Sequence, residues 1–109
     1  MSRRVVITGI GIWSCIGNNV DEVCESLRAG RSGISVDQER MDYGYRSGLV
    51  GKVERPKLKG VLDRRQRQSL SEEAEYAYMA SAEAFSMAGV SDEYLRDNEV
   101  GVIFGNDSS

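Results

Sequence analysis

Residues 3–17, RRVVITGIGIWSCIG, constrain this chain more than any other stretch. Val5, Val6 and Ile7 are consecutive and β-branched, the pattern of a strand buried on both faces. Gly9 and Gly11 then leave room for another part of the molecule to come close. Trp13, Cys15 and Ile16 keep the run apolar until Gly17 stops it. A strand this near the start is expected in the middle of a sheet, with later strands added beside it.

A helix signal follows at once. Asn19 is a good N-cap and Glu22 stands at the capping-box spacing. Val20, Val23, Cys24 and Leu27 share one face, and Gly30 is a natural helix stop, so a helix is expected over 20–29. Cys24 is expected as a small buried hydrophobe. Residues 30–48 read as loop, with Asp37 to Arg46 polar and left without assignment. A short edge strand is expected at about 48–53, ended by Pro56. Lys57, Lys59, Arg64, Arg65 and Arg67 then stand against the single acid Asp63, which could cap a short helix beginning at Arg64. This basic cluster suits either a solvated surface turn or a docking patch for an acidic partner. Ser71 opens the longest helix, with Glu72 and Glu73 in its first turn and Gly89 ending it. Its stripe, Ala74, Ala77, Tyr78, Ser81, Ala84, Phe85 and Ala88, is mostly small and permits close approach by a neighbour. Ser91 caps a short turn, and Val100 to Phe104 reads as a second buried strand ended by Gly105. Continuous apolar strands separated by helices indicate an α/β protein with a parallel sheet.

Composition excludes more than it selects. The chain has no histidine, so it cannot by itself host a Ser–His or Cys–His catalytic pair. A formal net charge of −3 argues against a nucleic-acid footprint. The first apolar run is too short and too broken by glycine for a signal peptide or a membrane span, so the cytosol is expected. Cys15 and Cys24 make no disulfide framework. The Gly9 and Gly11 pair is not a dinucleotide fingerprint, because Ser14 stands where the third glycine belongs and the helix starts too late to meet a pyrophosphate. Nothing in sequence activates Cys15 as a nucleophile. No cofactor and no metal site is expected.

Several segments, in order and spacing, carry a resemblance. The VITGIG strand, the SxIGNN connection, the EVxxSLRxGRSGI helix and turn, the LDRRQRQSLSEEA region and the VGVIFG strand together resemble the amino terminus of the elongating β-ketoacyl-acyl-carrier-protein synthases. The likeness is greatest to the type I synthases of dissociated bacterial systems. It implies a thiolase-like fold, with α-β-α-β-α layers in a complete homodimeric enzyme, of which residues 1–109 would be the first part of the N-terminal half. It also implies a decarboxylative condensation between an acyl chain and malonyl-acyl carrier protein. A cysteine, two histidines and a lysine do that work, all beyond the region matched here, so no catalytic residue is assigned in this chain. The resemblance implies carrier-protein docking at Arg64 and Arg65, which align with basic positions, and at Arg67, which lies one residue off with Gln68 where a third arginine is typical. It implies an acyl-pocket loop at 106–109, which places Asp107 and Ser108 as substrate-binding residues. The implied partners are acyl- and malonyl-loaded carrier protein and the remainder of the synthase chain, with no nucleic acid and no membrane. Two other readings stay open: a piece of a non-catalytic chain-length-factor partner, or a free-standing α/β binding module.

Overall fold

The structure, a computed structural model, describes residues 2–107. The chain divides into two units. One is formed by residues 12–54; the other joins the segment up to Gly11 with everything from Arg55 onward.

The 12–54 unit begins with a tight turn in which Ser14 and Gly17 bridge each other. Helix α1 follows at Val20–Ala29. Asn19 caps it, its side-chain oxygen accepting from the Glu22 amide at 2.9 Å. Glu22 reaches back to the Asn18 amide at 2.7 Å, one residue before the cap, so the box is one step wider than the sequence spacing implied. Gly30 ends the helix at φ 67°, and the Arg31 amide closes on the Ser26 carbonyl at 2.9 Å. The buried line of α1 is Val23 and Ser26, whose hydroxyl donates to the Ile16 carbonyl at 2.6 Å. Leu27, expected on the inner face, is 67% exposed, and Cys24 is only half-buried.

Residues 34–42 correct the loop reading, while residues 49–51 are the short strand expected at about 48–53. The region forms β1 (Ile34–Val36), α2 (Gln38–Asp42) and β2 (Leu49–Gly51). The strands pair antiparallel, Ile34 with Gly51 and Val36 with Leu49. Asp37 turns the chain between them: its carboxylate caps α2 at the Glu39 amide, 2.9 Å, while its own amide donates to the Gly48 carbonyl at 2.7 Å. The Arg40 guanidinium lies over the Tyr45 ring, 4.4 Å from its centre. Cys15 sits against Gly33 and Gly51, where a Cβ would meet its sulfur at 2.6 and 3.1 Å. That close fit explains a small thiol at this position.

In the other unit, α3 spans Arg64–Gln68, α4 spans Glu72–Ala88 and α5 spans Asp92–Asp97. Each start is capped as the sequence predicts, by Asp63, Ser71 and Ser91. Gly89 closes α4 at φ 71°. The 9–11 segment crosses α4 so tightly that a Cβ on Gly9 would collide with the Ala84 carbonyl, and one on Gly11 with the Ala80 carbonyl. The room left by the glycines is taken up by the helix backbone itself, made reachable by its alanines.

The expected parallel sheet is absent among the described residues, where the one sheet is the β1–β2 pair. Neither Val5–Ile7 nor Val100–Phe104 pairs as a strand. Val5 is 94% exposed, Ile7 85% and Ile103 96%. A β-branched run supplies propensity, but a strand exists only where another strand completes its hydrogen bonds. Among the described residues neither run has a strand paired to it. Among the described residues, Val23 and Leu58 are the buried hydrophobic side chains of the core.

Candidate functional site

The basic segment is built by four anchors in succession. Arg55 forms a two-pronged bond to Glu75 of α4, Nε to Oε2 at 2.8 Å and Nη2 to Oε1 at 3.4 Å. Glu75 is buried, 8% exposed, whereas the Arg55 side chain is 61% exposed. The hydrogen bond to Glu75, and then its charge, push the guanidinium pKa further above its ordinary value. Pro56 is buried next, followed by Leu58 at 3% exposure. The Leu58 carbonyl accepts from the amides of both Val61 and Leu62 at 3.0 Å, which folds residues 58–62 into a turn around that anchor. The fourth anchor is a reciprocal capping box. Asp63 accepts from the Gln66 amide at 2.8 Å, and the Gln66 side chain accepts from the Asp63 amide at 3.0 Å.

These anchors set the arginines apart from one another. Arg64 and Arg65 occupy the first turn of α3 and are exposed. Arg67 is half-buried, and its Nε is closed off from solvent with no hydrogen-bond partner among the described residues. Lys57 and Lys59 are exposed along the approach to α3. The structure therefore leaves Arg64 and Arg65 exposed and turns Arg67 partly inward. A capped first turn with two free guanidinium groups can pair with carboxylates in bidentate fashion and attract an acidic surface over about a Debye length.

A second feature of this unit is a groove of about 490 Å³. One wall is the α4 stripe: Ala74, Ala77, Tyr78, Ser81 and Phe85. The other includes Val102, Phe104 and Asn106. Asp107 follows Asn106, is exposed and is not among the lining residues. Ser108 lies outside the described residues. The expected docking and acyl-pocket positions thus belong to separate parts of the unit, α3 and the segment after Phe104. Sequence reasoning missed Arg55 and Glu75. Their pairing spans 20 residues, and Glu75 reads in sequence as one more acid in the first turn of α4. Tyr76 beside it donates its hydroxyl to Glu72.

No helix among the described residues is long and apolar enough to cross a membrane. Against known proteins, the family model "Beta-ketoacyl synthase, N-terminal domain" matches residues 2–109. The chain is 44% identical over 105 residues to 3-oxoacyl-[acyl-carrier-protein] synthase 1 of Escherichia coli K12, covering 95% of this chain and 26% of that protein. It is 38% identical over 103 residues to the Haemophilus influenzae synthase 1, covering 94% of this chain and 25% of that protein. It is 29% identical over 106 residues to the chloroplastic synthase I of Arabidopsis thaliana, covering 94% and 22%. The chain spans about a quarter of the length of these relatives. The mixture of capped helices with short and unpaired apolar segments fits part of a larger α/β body, and the match over nearly every residue shows that this chain belongs to the β-ketoacyl synthase N-terminal domain family.

Proposed function

We propose that this chain forms the first part of a 3-oxoacyl-[acyl-carrier-protein] synthase of the thiolase-like fold, a homodimeric enzyme that elongates acyl chains by decarboxylative condensation. In this reading the chain contributes no catalytic group. Its Arg64 and Arg65 dock the acidic acyl carrier protein, and its 106–109 segment, with Asp107 and Ser108, borders the acyl pocket. The observation that carries the docking role is the capped first turn of α3, which leaves Arg64 and Arg65 exposed on a segment otherwise tied down by Leu58 and the Asp63–Gln66 box. A carrier must arrive, deliver and leave, so steering by exposed charge suits it better than a large sticky contact. Each exposed pair contributes about 0.2–1 kcal/mol and weakens with salt.

The test uses the complete synthase carrying Arg64→Glu and Arg65→Glu. The apparent KM for acyl-carrier protein rises, more at low salt than at high, while activity with a small acyl thioester lacking the carrier stays nearly unchanged. Equal loss with both substrates would show that the arginines hold the fold rather than the partner. A parallel Arg67→Gln variant changes carrier KM less than either exposed arginine, because its side chain is turned partly inward.

A further inference from the structure

We propose that Glu75 and Arg55 are positioning residues for carrier recognition: their ion pair fixes the start of the basic segment to α4 and so sets where Arg64 and Arg65 stand. The proposal rests on the docking role assigned to those arginines. The basic segment leaves Arg55 and rejoins α4 within a short span, α3 and its capping box lying between. Its far end is fixed covalently, since Ser71 caps α4 directly after α3. Its near end has no covalent tie to α4, and the Arg55–Glu75 ion pair supplies a non-covalent one across 20 residues. The geometry is asymmetric in a telling way. Glu75 is withdrawn from solvent on the helix, while Arg55 reaches to it from an exposed position with both prongs engaged. A buried carboxylate without its guanidinium would be an uncompensated charge, so the pair resists opening. Two planar groups joined by parallel bonds also fix orientation, which a single-point contact cannot.

Simple charge and positioning give opposite signs for one substitution. Glu75→Gln removes a negative charge close to the basic segment. If carrier binding followed only the net positive field, the variant would bind the acidic carrier as well or better. If the pair positions the arginines, the variant binds it worse despite the more favourable charge.

The experiment compares Glu75→Gln, Arg55→Gln and Arg55→Lys in the complete synthase. Glu75→Gln and Arg55→Gln raise KM for acyl-carrier protein about three- to tenfold, the scale of losing two exposed ion pairs. They leave kcat, and activity with a carrier-free acyl thioester, nearly unchanged. Arg55→Lys keeps the charge but loses the second prong, and falls between wild type and Arg55→Gln. Amide hydrogen exchange of residues 58–68 quickens in Glu75→Gln, while that of α1 does not. An unchanged or lowered carrier KM in Glu75→Gln overturns the proposal, as does equal loss with both substrates. If Glu75→Gln does not fold, Arg55→Gln decides by the same readouts; if neither folds, the pair holds the fold and the proposal is wrong. Should Arg64→Glu with Arg65→Glu leave carrier KM unchanged, the docking reading itself falls. Should that double variant raise KM while Glu75→Gln does not, only the positioning proposal falls.

Discussion

Tyr76 donates its hydroxyl to Glu72 one helical turn earlier, and chiefly because of that bond its phenol is pushed up from 10.0 to about 12. Partial burial adds to the rise. The bond favours the protonated phenol, so its contribution to stability is complete below the ordinary tyrosine range and is lost as pH climbs through about 12. Alkaline titration followed by tyrosinate absorbance in the complete synthase shows one late-ionising phenol. Glu72→Gln moves that phenol to lower pH, and Tyr76→Phe deletes it; a titration curve unmoved by Glu72→Gln would refute the assignment. Gly11 is a second residue whose chemistry is dictated by one neighbour. Its missing Cβ is the space taken by the Ala80 carbonyl. Gly11→Ala forces the segment off α4 and lowers the stability of the complete synthase by about 1–3 kcal/mol, the usual result of overfilling a tight contact. Unfolding by denaturant measures it, and an unchanged midpoint would mean the crossing is looser than described.

At the scale of elements, helix ends carry most of the local definition. Asn19→Ala and Ser71→Ala each remove the acceptor of a first-turn amide, and each costs about 0.5–2 kcal/mol. Replacement by Asp retains an acceptor and restores most of the loss, which equilibrium unfolding of the complete synthase resolves. This part of the fold was legible in sequence, because a cap needs only a residue and its neighbours three positions on. Asn19, Asp63, Ser71 and Ser91, with Gly30 and Gly89 as stops, place every long helix correctly. In the 34–51 region the short strand near 48–53 was legible, whereas β1, α2 and the register were not, because they depend on pairing Ile34 with Gly51 across the intervening turn. Val5–Ile7 and Val100–Phe104 fail in the opposite sense. Their composition carries strand propensity, but propensity does not say which segment would pair with them. At the candidate site, the exposed pair Arg64 and Arg65 was readable from local charge, whereas the inward turn of Arg67 depends on how α3 seats, and the Arg55–Glu75 bond on a long-range meeting.

For the whole molecule, the small core and the large exposed apolar surface decide how residues 1–109 behave by themselves. Ile7, Val102 and Ile103 are each largely exposed apolar side chains, and α4 is apolar around much of its circumference. A preparation of residues 1–109 alone therefore self-associates or melts over a broad range, binds a hydrophobic dye, and catalyses no condensation. A monomer with a sharp two-state melt and dispersed amide signals would contradict this. The division into two units has a further consequence, for the order in which the polypeptide acquires its structure. Residues 9–11 are synthesised before the helix they clasp, which is made some 70 residues later. The 12–54 unit lies between them in the sequence. Its two ends are stitched together where the Trp13 indole donates to the Glu54 carbonyl at 2.6 Å and the Asn18 amide group to the Glu54 carboxylate at 3.1 Å. Once that stitch is made, the chain on either side of the insert emerges from neighbouring points, and the closure entropy of a loop of about 40 residues has already been met. The Glu54 contacts thus shorten the effective loop between the glycine segment and α4, which lowers the entropic cost of their meeting.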